Sequence, residues 1–431
     1  MKLTIVNSTA PGTAALLSPL FDALVDSGEV DLTVLEQAPL AESSRPFSCE
    51  RTLSNSLYRY RLEPLPTYFY NRRHACAQVL SNQFKSLLAE IRPDVVYILG
   101  EPGYLSTYQV VRFAHRHLPR ARICLLAAQN VYQRFPPPFP SIERWVMAHL
   151  DHAFPLGEEH EAVLRRKGYT GFATCVPLGV DTNAFAPRPR VALIQGIELP
   201  RPVVGYAGEF LPARDLSSLI EAVALCRLEP SLLLVGDGPS RPELESLAQQ
   251  RSFADRILFA GRVPHCQMPH YLNSMDMLVL PSRAIRNRCF GIFQIANTEQ
   301  FGRVLVEAMA CGKPVVGSSC GEIPKVIGDA GRVYPEGRTD LLAATLQELC
   351  AHDALRARLG RAGLARARTV YDWRVIARQL LSVMRALPAP AEATRRSPTH
   401  LRRTALNADA VRALTSRRAS SALPGSSARG D

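Results

Sequence analysis

The sequence lacks several features that mark other classes of protein. Its ten cysteines stand singly, without a CxxC pair or the spacing of a disulfide framework, so we expect a reducing compartment in which they act as small apolar residues. No apolar run approaches the roughly 20 residues that a membrane-spanning helix needs. The opening stretch MKLTIVNSTAPG carries one lysine and a short strand-like run, unlike a secretory leader. We therefore predict a cytoplasmic protein.

Acidic residues are fewer than basic ones: the sequence has 39 Asp and Glu residues and 51 Lys and Arg residues, for a formal net charge of +12. A charge of +5 lies in residues 388–431, a segment of eight arginines and three acids. That tail has no sustained apolar face, so we predict that it is disordered. The moderately basic remainder suits phosphate-bearing ligands or an anionic membrane face. No recognised motif points to nucleic acid.

The 431 residues, 47% of them hydrophobic, suffice for two domains with a core each. In the first half, strand-like segments alternate with helix-like ones. The predicted strands are KLTIVN, DLTVLEQ, DVVYILGE and ICLLAAQN. Residues 76–91 are predicted to form a helix, because their apolar residues recur at helical spacing. Residues 42–74, polar, basic and aromatic without a clear period, are predicted to be a surface excursion.

The proline-rich residues 186–202 are predicted to be a linker, after which the alternation restarts and continues to about Leu387. The predicted strands here are VVGYAG, SLLLVGDG, ILFAG, MLVLPS and PVVGSS. Both halves therefore predict doubly wound α/β domains with parallel sheets. Such domains bind ligands at the carboxyl ends of their strands, where glycine-containing loops occur in the second half. Taken singly, each glycine is better explained as a turn residue.

The stretch EQFGRVLVE places two glutamates, Glu299 and Glu307, on either side of a predicted helix start at Gly302. The amides of Gln300, Phe301 and Gly302 would form an anion site there. Eight residues of helix rise about 12 Å, too far for the carboxylates to share a proton or a metal ion. Two carboxylates that bind different parts of one long ligand, a clamp, are the favoured interpretation. Helix-start electrostatics for Glu299 and a solvated face for Glu307 remain open.

The longer segment EQFGRVLVEAMACGKPVVGSSCGEIPKVI resembles the donor-binding signature of family 4 glycosyltransferases, the E-x7-E enzymes with the GT-B fold. GVDTNAF, LLLVGDGP, ILFAGRV and YDWRVIARQLL agree with it, and AAQNVYQRFPPPFPSIERW resembles a bacterial polysaccharide-biosynthesis branch. The resemblance covers roughly residues 1–385. It implies two Rossmann-like domains facing a cleft: an acceptor-side domain at 1–185 and a nucleotide-sugar domain at 203–370. A closing helix at 371–386 would cross back to the first.

The resemblance implies a catalytic role for Glu299, which would hold hydroxyls of the donor sugar, and for Arg214. The donor would be a nucleotide-diphosphate sugar, and family members are retaining transferases of the hexosyltransferase type that need neither metal nor cofactor. Amides of Gln300, Phe301 and Gly302 would contact sugar and distal phosphate, and Glu307 the ribose. The other implied donor-binding residues are Gly12, Gly208, Arg262 and Val263. His265 and His270 are predicted to be ordinary surface residues.

Three departures from the family pattern stand out. Where the family has an arginine and a lysine for the diphosphate, this chain has Glu209 and Arg214. The carboxylate would repel a diphosphate unless it turns away or other bases compensate, the candidates being Arg283, Arg286 and Arg288. Residues 284–298 lengthen a usually short loop. Gln129 and Asn130 replace a common histidine; they could bind sugar or acceptor, but they cannot transfer protons.

The leading hypothesis is a retaining glycosyltransferase that acts on a glycan or lipid-linked saccharide in cell-surface polysaccharide biosynthesis. The aromatic and basic residues 56–74 would suit peripheral association with the inner face of a membrane, although a solvated loop explains them equally well. The alternative is a catalytically weak or inactive sugar-nucleotide-binding homologue, motivated by Glu209. A GT-B epimerase or a sugar phosphorylase fits the pattern less well.

Overall fold

Seven strands form the first of two large sheets in the computed structural model, which describes residues 1–9, 13–39, 58–69, 76–190, 193–250, 254–289 and 293–388. They are β1 (Lys2–Asn7), β2 (Asp31–Pro39), β3 (Arg61–Tyr68), β4 (Val79–Leu80), β5 (Val95–Leu99), β6 (Arg122–Ala127) and β7 (His152–Pro155). Their order is β4-β3-β2-β1-β5-β6-β7. All neighbours are parallel except β3 and β4.

Helices cover both faces of this sheet, which explains why β5 is apolar along its whole length and fully buried. The helices are α1 (Thr13–Asp26), α2 (Gln83–Ile91), α3 (Leu105–His117), α4 (Phe139–Ala148) and α5 (Glu158–Arg166). Strand β1 pairs with β2 on one side and β5 on the other. The strand order therefore reverses between β1 and β5, although these two strands are parallel, and such a reversal leaves a crevice at the carboxyl ends of the strands.

A small hairpin of β8 (Leu193–Ile194) and β9 (Ile197–Glu198) precedes the second sheet. The sheet has the order β12-β11-β10-β13-β16-β17 and parallel neighbours throughout. Its strands are β10 (Val203–Ala207), β11 (Ser231–Val235), β12 (Ile257–Gly261), β13 (Met277–Leu280), β16 (Val315–Ser318) and β17 (Gly331–Tyr334). A separate hairpin, β14 (Ile285–Cys289) with β15 (Phe293–Asn297), follows β13.

The helices of the second half are α6 (Leu216–Ala224), α7 (Arg241–Gln249), α8 (Met268–Ser274), α9 (Arg303–Ala310), α10 (Ile323–Ile327), α11 (Thr339–Ala351) and α12 (Asp353–Arg366). A last helix, α13 (Trp373–Ala386), leaves this domain and packs its apolar face into the core beneath the first sheet. The N–H of Val180 donates to the carbonyl of Tyr371 at 2.7 Å where the two segments cross. The crossing helix predicted from the sequence is confirmed.

Some predictions of local structure were wrong. Val79 and Leu80 form β4 and not the start of a helix, which begins at Gln83. Within the predicted excursion 42–74, residues 61–68 form β3, while 42–57 and 70–74 lie outside the described residues. Pro64 and Pro66 hid this strand, although proline is tolerated near a sheet edge. The predicted linker contains the β8–β9 hairpin, but the domain limits stay predictions.

Two further predictions concern the basic tail and membrane-spanning helices. Residues 389–431 of the basic tail lie outside the described residues, so the disorder predicted for the tail stays a prediction. No helix in the described part of the chain combines the length and apolar character needed to cross a membrane.

His152 on β7 gives a testable pH dependence. It is 2% exposed, Nε2 lies 3.0 Å from Thr174 Oγ1, and burial, helped by Arg165, lowers the pKa of His152 to about 4. As the pH falls below about 6.5, His152 binds a proton in the unfolded chain but not in the folded chain. We therefore expect the unfolding free energy to decrease between pH 7 and pH 5, by at most about 1.4 kcal/mol per pH unit from this group.

The measurement is urea unfolding followed by tryptophan fluorescence, since Trp145 and Trp373 both pack in the first domain. The variant His152→Phe should lose less stability than the wild type between the two pH values. His117→Asn, at an exposed histidine, is the control and should behave as the wild type. Equal losses in wild type and His152→Phe would contradict the assignment.

Candidate functional site

The candidate residues converge at the switch point of the second sheet. Strand β10 pairs with β11 on one side and β13 on the other, so the loops after β10 and β13 leave the sheet at one crevice. The first loop contains Gly208 and Arg214, and the second begins near Ser282 and ends at Glu299. Parallel topology thus brings together residues separated by about eighty positions in the sequence.

Glu299 and Arg214 form an ion pair. Ser282, only 2% exposed, joins both side chains: its Oγ accepts from an Arg214 guanidinium nitrogen at 2.9 Å and donates to Glu299 Oε2 at 2.9 Å. The Glu299 carboxylate is 10% exposed, so it needs such partners. The sequence predicted functional roles for Glu299 and Arg214 but not their contact, and it did not single out Ser282.

The main chain of Glu299 also forms hydrogen bonds, through its carbonyl oxygen. Its carbonyl accepts from Asn130 Nδ2 of the first domain at 2.8 Å and from the N–H of Glu322 at 3.0 Å. Gly321 lies against this carbonyl with φ of +55°, and a Cβ there would stand 2.1 Å from the oxygen. Asn130 therefore contacts the loop that carries Glu299, which is compatible with its predicted place at the sugar.

Helix α9 begins directly after Gly302, as predicted. Gly302 has φ of +80°, and a Cβ on it would meet Leu280 Cδ2 at 2.8 Å. The N–H groups of Gln300, Phe301 and Gly302 donate to no other described residue. Phe301 is buried against Tyr371, with ring centroids 5.8 Å apart, whereas Gln300 is exposed. Unpaired amides at the positive end of a helix are suited to an anion.

Glu307 lies in the second turn of α9 and is 7% exposed among apolar neighbours. His265 Nε2 is 3.0 Å from Glu307 Oε1, and a guanidinium nitrogen of Arg303 is 3.6 Å from the same oxygen. Among the described residues, Glu299 and Glu307 share no partner. His265 is half-exposed, as predicted, but its contact with Glu307 was missed, because residues 42 positions apart give no local signal.

The roles of the other predicted site residues stay predictions, and the structure gives the positions of those that it describes. Arg262 is exposed and Val263 half-buried, directly after the end of β12. Gly12 lies outside the described residues, so its role stays a prediction. Gln129 follows β6 and its Oε1 accepts from Lys167. Within the described parts of the chain, no three His, Cys, Asp or Glu side chains form a group suited to a metal ion.

Glu209, which stands in place of the usual arginine, is exposed to solvent. Its side chain forms no salt bridge with any described residue, while its backbone carbonyl accepts from Tyr206 Oη at 2.9 Å. Of the proposed compensating bases, Arg283 lies 3.7 Å from Asp215 and Arg286 is exposed. Arg288 is on β14, and its side chain is not described.

The extra residues before Glu299 form the β14–β15 hairpin, with Ile285 opposite Asn297 and Arg286 opposite Ala296. Gln133 of the first domain donates from Nε2 to the carbonyl of Ala296 at 2.5 Å. The insertion is therefore an ordered hairpin whose base contacts the facing domain beside Glu299. Residues 290–292 at its tip lie outside the described residues.

The first domain contributes a polar cluster after β5 and β6, of which only Gln129 was predicted. Glu101 follows β5, and its Oε1 accepts from the N–H of Ala128 at 2.8 Å. Lys167, 4% exposed, contacts Gln129 and lies 2.5 Å from Glu143 Oε1. Burial raises the pKa of Glu101 to about 7, against the lowering effect of the Ala128 N–H. Its position at a strand end in DVVYILGE was the available signal.

Comparison with known proteins supports the second domain most directly. Residues 192–366 match the family described as Glycosyl transferases group 1. A GDP-mannose-dependent monoacylated alpha-(1-6)-phosphatidylinositol monomannoside mannosyltransferase of Corynebacterium glutamicum is 29% identical over 49% of this chain and 56% of its own. A D-inositol 3-phosphate glycosyltransferase of Xylanimonas cellulosilytica is 31% identical over 52% of each. The chain spans about half the length of these curated relatives.

Solved structures match over both domains. A sucrose-phosphate synthase from Thermosynechococcus elongatus has a TM-score of 0.68 at 18% identity and covers 90% of this chain and 99% of its own. Anabaena HepE in complex with UDP has a TM-score of 0.67 at 15% identity, with 90% and 100% covered. At such identities the matches establish the fold alone. It is the predicted GT-B arrangement of two Rossmann-like domains.

The raised pKa of Glu101 gives a second stability prediction, opposite in sign to that of His152. As the pH rises above about 4.3, the unfolded chain releases this proton before the folded chain does. The unfolding free energy should therefore decrease until about pH 7. Glu101→Gln cannot ionise, so its stability relative to the wild type should increase between pH 5 and pH 8.

Urea unfolding with tryptophan fluorescence measures this difference at several pH values. Glu158→Gln, at a carboxylate 85% exposed in the same domain, is the matched control and should keep a constant offset. A constant offset for Glu101→Gln as well would show that Glu101 ionises normally in the folded chain.

Proposed function

Because residues 192–366 match the family described as Glycosyl transferases group 1, we propose that this chain is a glycosyltransferase that moves a hexosyl group from a nucleotide-diphosphate sugar. The acceptor is a hydroxyl of a glycan or of a lipid-linked saccharide, and the configuration at the anomeric carbon is retained. The nucleotide sugar is the only small molecule that the reaction requires, without a metal ion or another cofactor.

The observation that carries this proposal is the division of the two glutamates into separate contact sets. Glu299 is held by Ser282 and Arg214, and Glu307 by His265 and Arg303. The unpaired amides at the start of α9 lie between them in sequence. This order matches a ligand with a sugar at one end, phosphates in the middle and a ribose at the other end.

In the proposed reaction the bond between the anomeric carbon and the diphosphate oxygen breaks, and a bond to the acceptor oxygen forms on the same face. The acceptor proton passes to a phosphate oxygen of the leaving group. Arg214 and the amides of α9 stabilise the charge that develops on the diphosphate. Glu299 binds donor-sugar hydroxyls. Its present ion pair with Arg214 keeps both charges paired until the donor arrives.

The acceptor class is inferred from the relatives and from charge. The names of two relatives state a phosphatidylinositol monomannoside and D-inositol 3-phosphate as substrates, so anionic acceptors are represented among similar proteins. The net charge of +12 favours an anionic acceptor or an anionic membrane surface. A cytoplasmic enzyme of cell-surface glycan biosynthesis at the inner face of a membrane is the form of this proposal that we favour.

A second candidate function is that of a weak or inactive sugar-nucleotide-binding homologue, motivated by Glu209 in place of the usual arginine. The exposed side chain of Glu209 weighs against it, since a carboxylate in water at a distance repels a diphosphate only weakly.

Loss of the Glu299 carboxylate is the direct test of the leading proposal. Glu299→Ala should reduce transfer by more than about 100-fold, because the donor sugar loses its anchor. Nucleoside diphosphate binding should weaken only a few-fold. Transfer is measured with a panel of nucleotide sugars in EDTA, and binding by calorimetry. Glu243→Ala, at an exposed glutamate, is the control. Full activity of Glu299→Ala would refute the assigned role.

The two candidate functions differ in the expected effect of Glu209→Arg. If Glu209 faces away from the diphosphate, the wild type turns over and the variant changes kcat/KM by less than about tenfold. Both proteins are assayed for donor hydrolysis and transfer beside Glu243→Arg, which adds the same charge elsewhere. A wild type that binds nucleoside diphosphate without turnover, together with turnover in Glu209→Arg, would establish the inactive homologue instead.

A further inference from the structure

Glu307 carries a nearly buried carboxylate in a mainly apolar stretch of α9. The side chain is 7% exposed, with the apolar residues Leu305, Val306 and Ala308 around it on α9. A carboxylate in such surroundings requires hydrogen-bond donors. Among the described residues, the contact within hydrogen-bond distance is His265 Nε2, at 3.0 Å from Oε1. The Arg303 guanidinium is farther, at 3.6 Å.

The imidazole of His265 is itself held in place. It lies in the turn His265–Gln267 between β12 and α8, and its ring packs against Phe185 with centroids 5.2 Å apart. Phe185 is 4% exposed and belongs to the core of the second domain. The donor to Glu307 therefore comes from a separate loop and has a packing contact outside α9.

We propose that His265 is a positioning residue for nucleotide recognition, which holds Oε1 of Glu307 so that Oε2 accepts from a ribose hydroxyl of the nucleotide. This inference rests on the proposed function, in which Glu307 binds the ribose. The contact needs a proton on Nε2, which the neutral imidazole with its proton on that nitrogen provides. Without His265, the carboxylate has several rotamers available and loses its fixed direction.

Ribose discrimination is the readout that separates positioning from a merely structural role. Calorimetry with UDP, GDP and their 2′-deoxy analogues measures it for each protein. A hydrogen bond to a charged group corresponds to about tenfold or more in affinity, so the wild type should prefer the ribonucleotide by that factor. His265→Ala should bring the ratio close to one while affinity for the deoxynucleotide changes by less than about threefold.

Three variants complete the design. His265→Gln keeps an N–H donor on a longer side chain and should recover part of the discrimination. His270→Ala removes an exposed histidine five positions away on α8 and should leave the ratio unchanged. Glu307→Gln should abolish the preference. His265→Gln also keeps the test valid if His265→Ala fails to fold, which circular dichroism reports.

The outcomes separate this inference from the proposed function. If Glu307→Gln loses discrimination but both His265 variants keep it, the positioning role is overturned and nucleotide binding stands. An equal loss of affinity for ribonucleotide and deoxynucleotide in His265→Ala would likewise overturn it, since that is the effect of a structural role. If the wild type binds no nucleoside diphosphate at all, the inference and the proposed function both fail.

Discussion

The carbonyl oxygen of Glu299 receives hydrogen bonds from both halves of the molecule, one from Asn130 Nδ2 and one from the N–H of Glu322. A carbonyl has two lone pairs, so both bonds can be made fully. The carboxylate of the same residue meets Arg214 and Ser282. Main chain and side chain are thus both constrained, and a shift of either domain against the other would move the central residue of the site.

Other contacts between the domains are also polar. His160 on α5 is fully buried and lies 3.5 Å from the Glu322 carboxylate. Lys325 lies 3.6 Å from Glu158 and 3.7 Å from Glu159. By contrast, α13 enters the first domain with an apolar face. These polar groups can be hydrated if the two domains separate. The apolar face of α13 cannot, so its contact with the first domain is the more costly one to open.

The departures from the family pattern concern the diphosphate and the loop in front of the sugar. Glu209 is exposed, so the reversed charge is solvated in the structure. Arg214 takes the place of the usual lysine, and one nitrogen of its guanidinium contacts both Ser282 and Glu299. The β14–β15 hairpin adds the backbone carbonyl of Ala296, which accepts from Gln133 of the first domain. Both departures therefore lie in loops that follow β10 and β13.

Where side-chain pattern and local geometry suffice, the sequence predicted the structure well. The apolar strands β1, β5, β10 and β11 and the start of α9 at Gly302 were found, because burial on both faces and a helix start leave signals within a few residues. Strand β4 was taken for helix, since two residues have no period, and β3 was hidden by Pro64 and Pro66. Its pairing with β2, and not its composition, makes β3 a strand.

For the site, the sequence by itself determined which residue types are available: two glutamates eight positions apart, a glycine between them and a resemblance that assigned their roles. Only the tertiary structure decided which side chains meet. Ser282 bridges Glu299 and Arg214, His265 contacts Glu307, and Lys167 joins Gln129 to Glu143. These contacts depend on where parallel strands end and how two domains face each other, and that arrangement is set by long-range packing that no short stretch of sequence encodes.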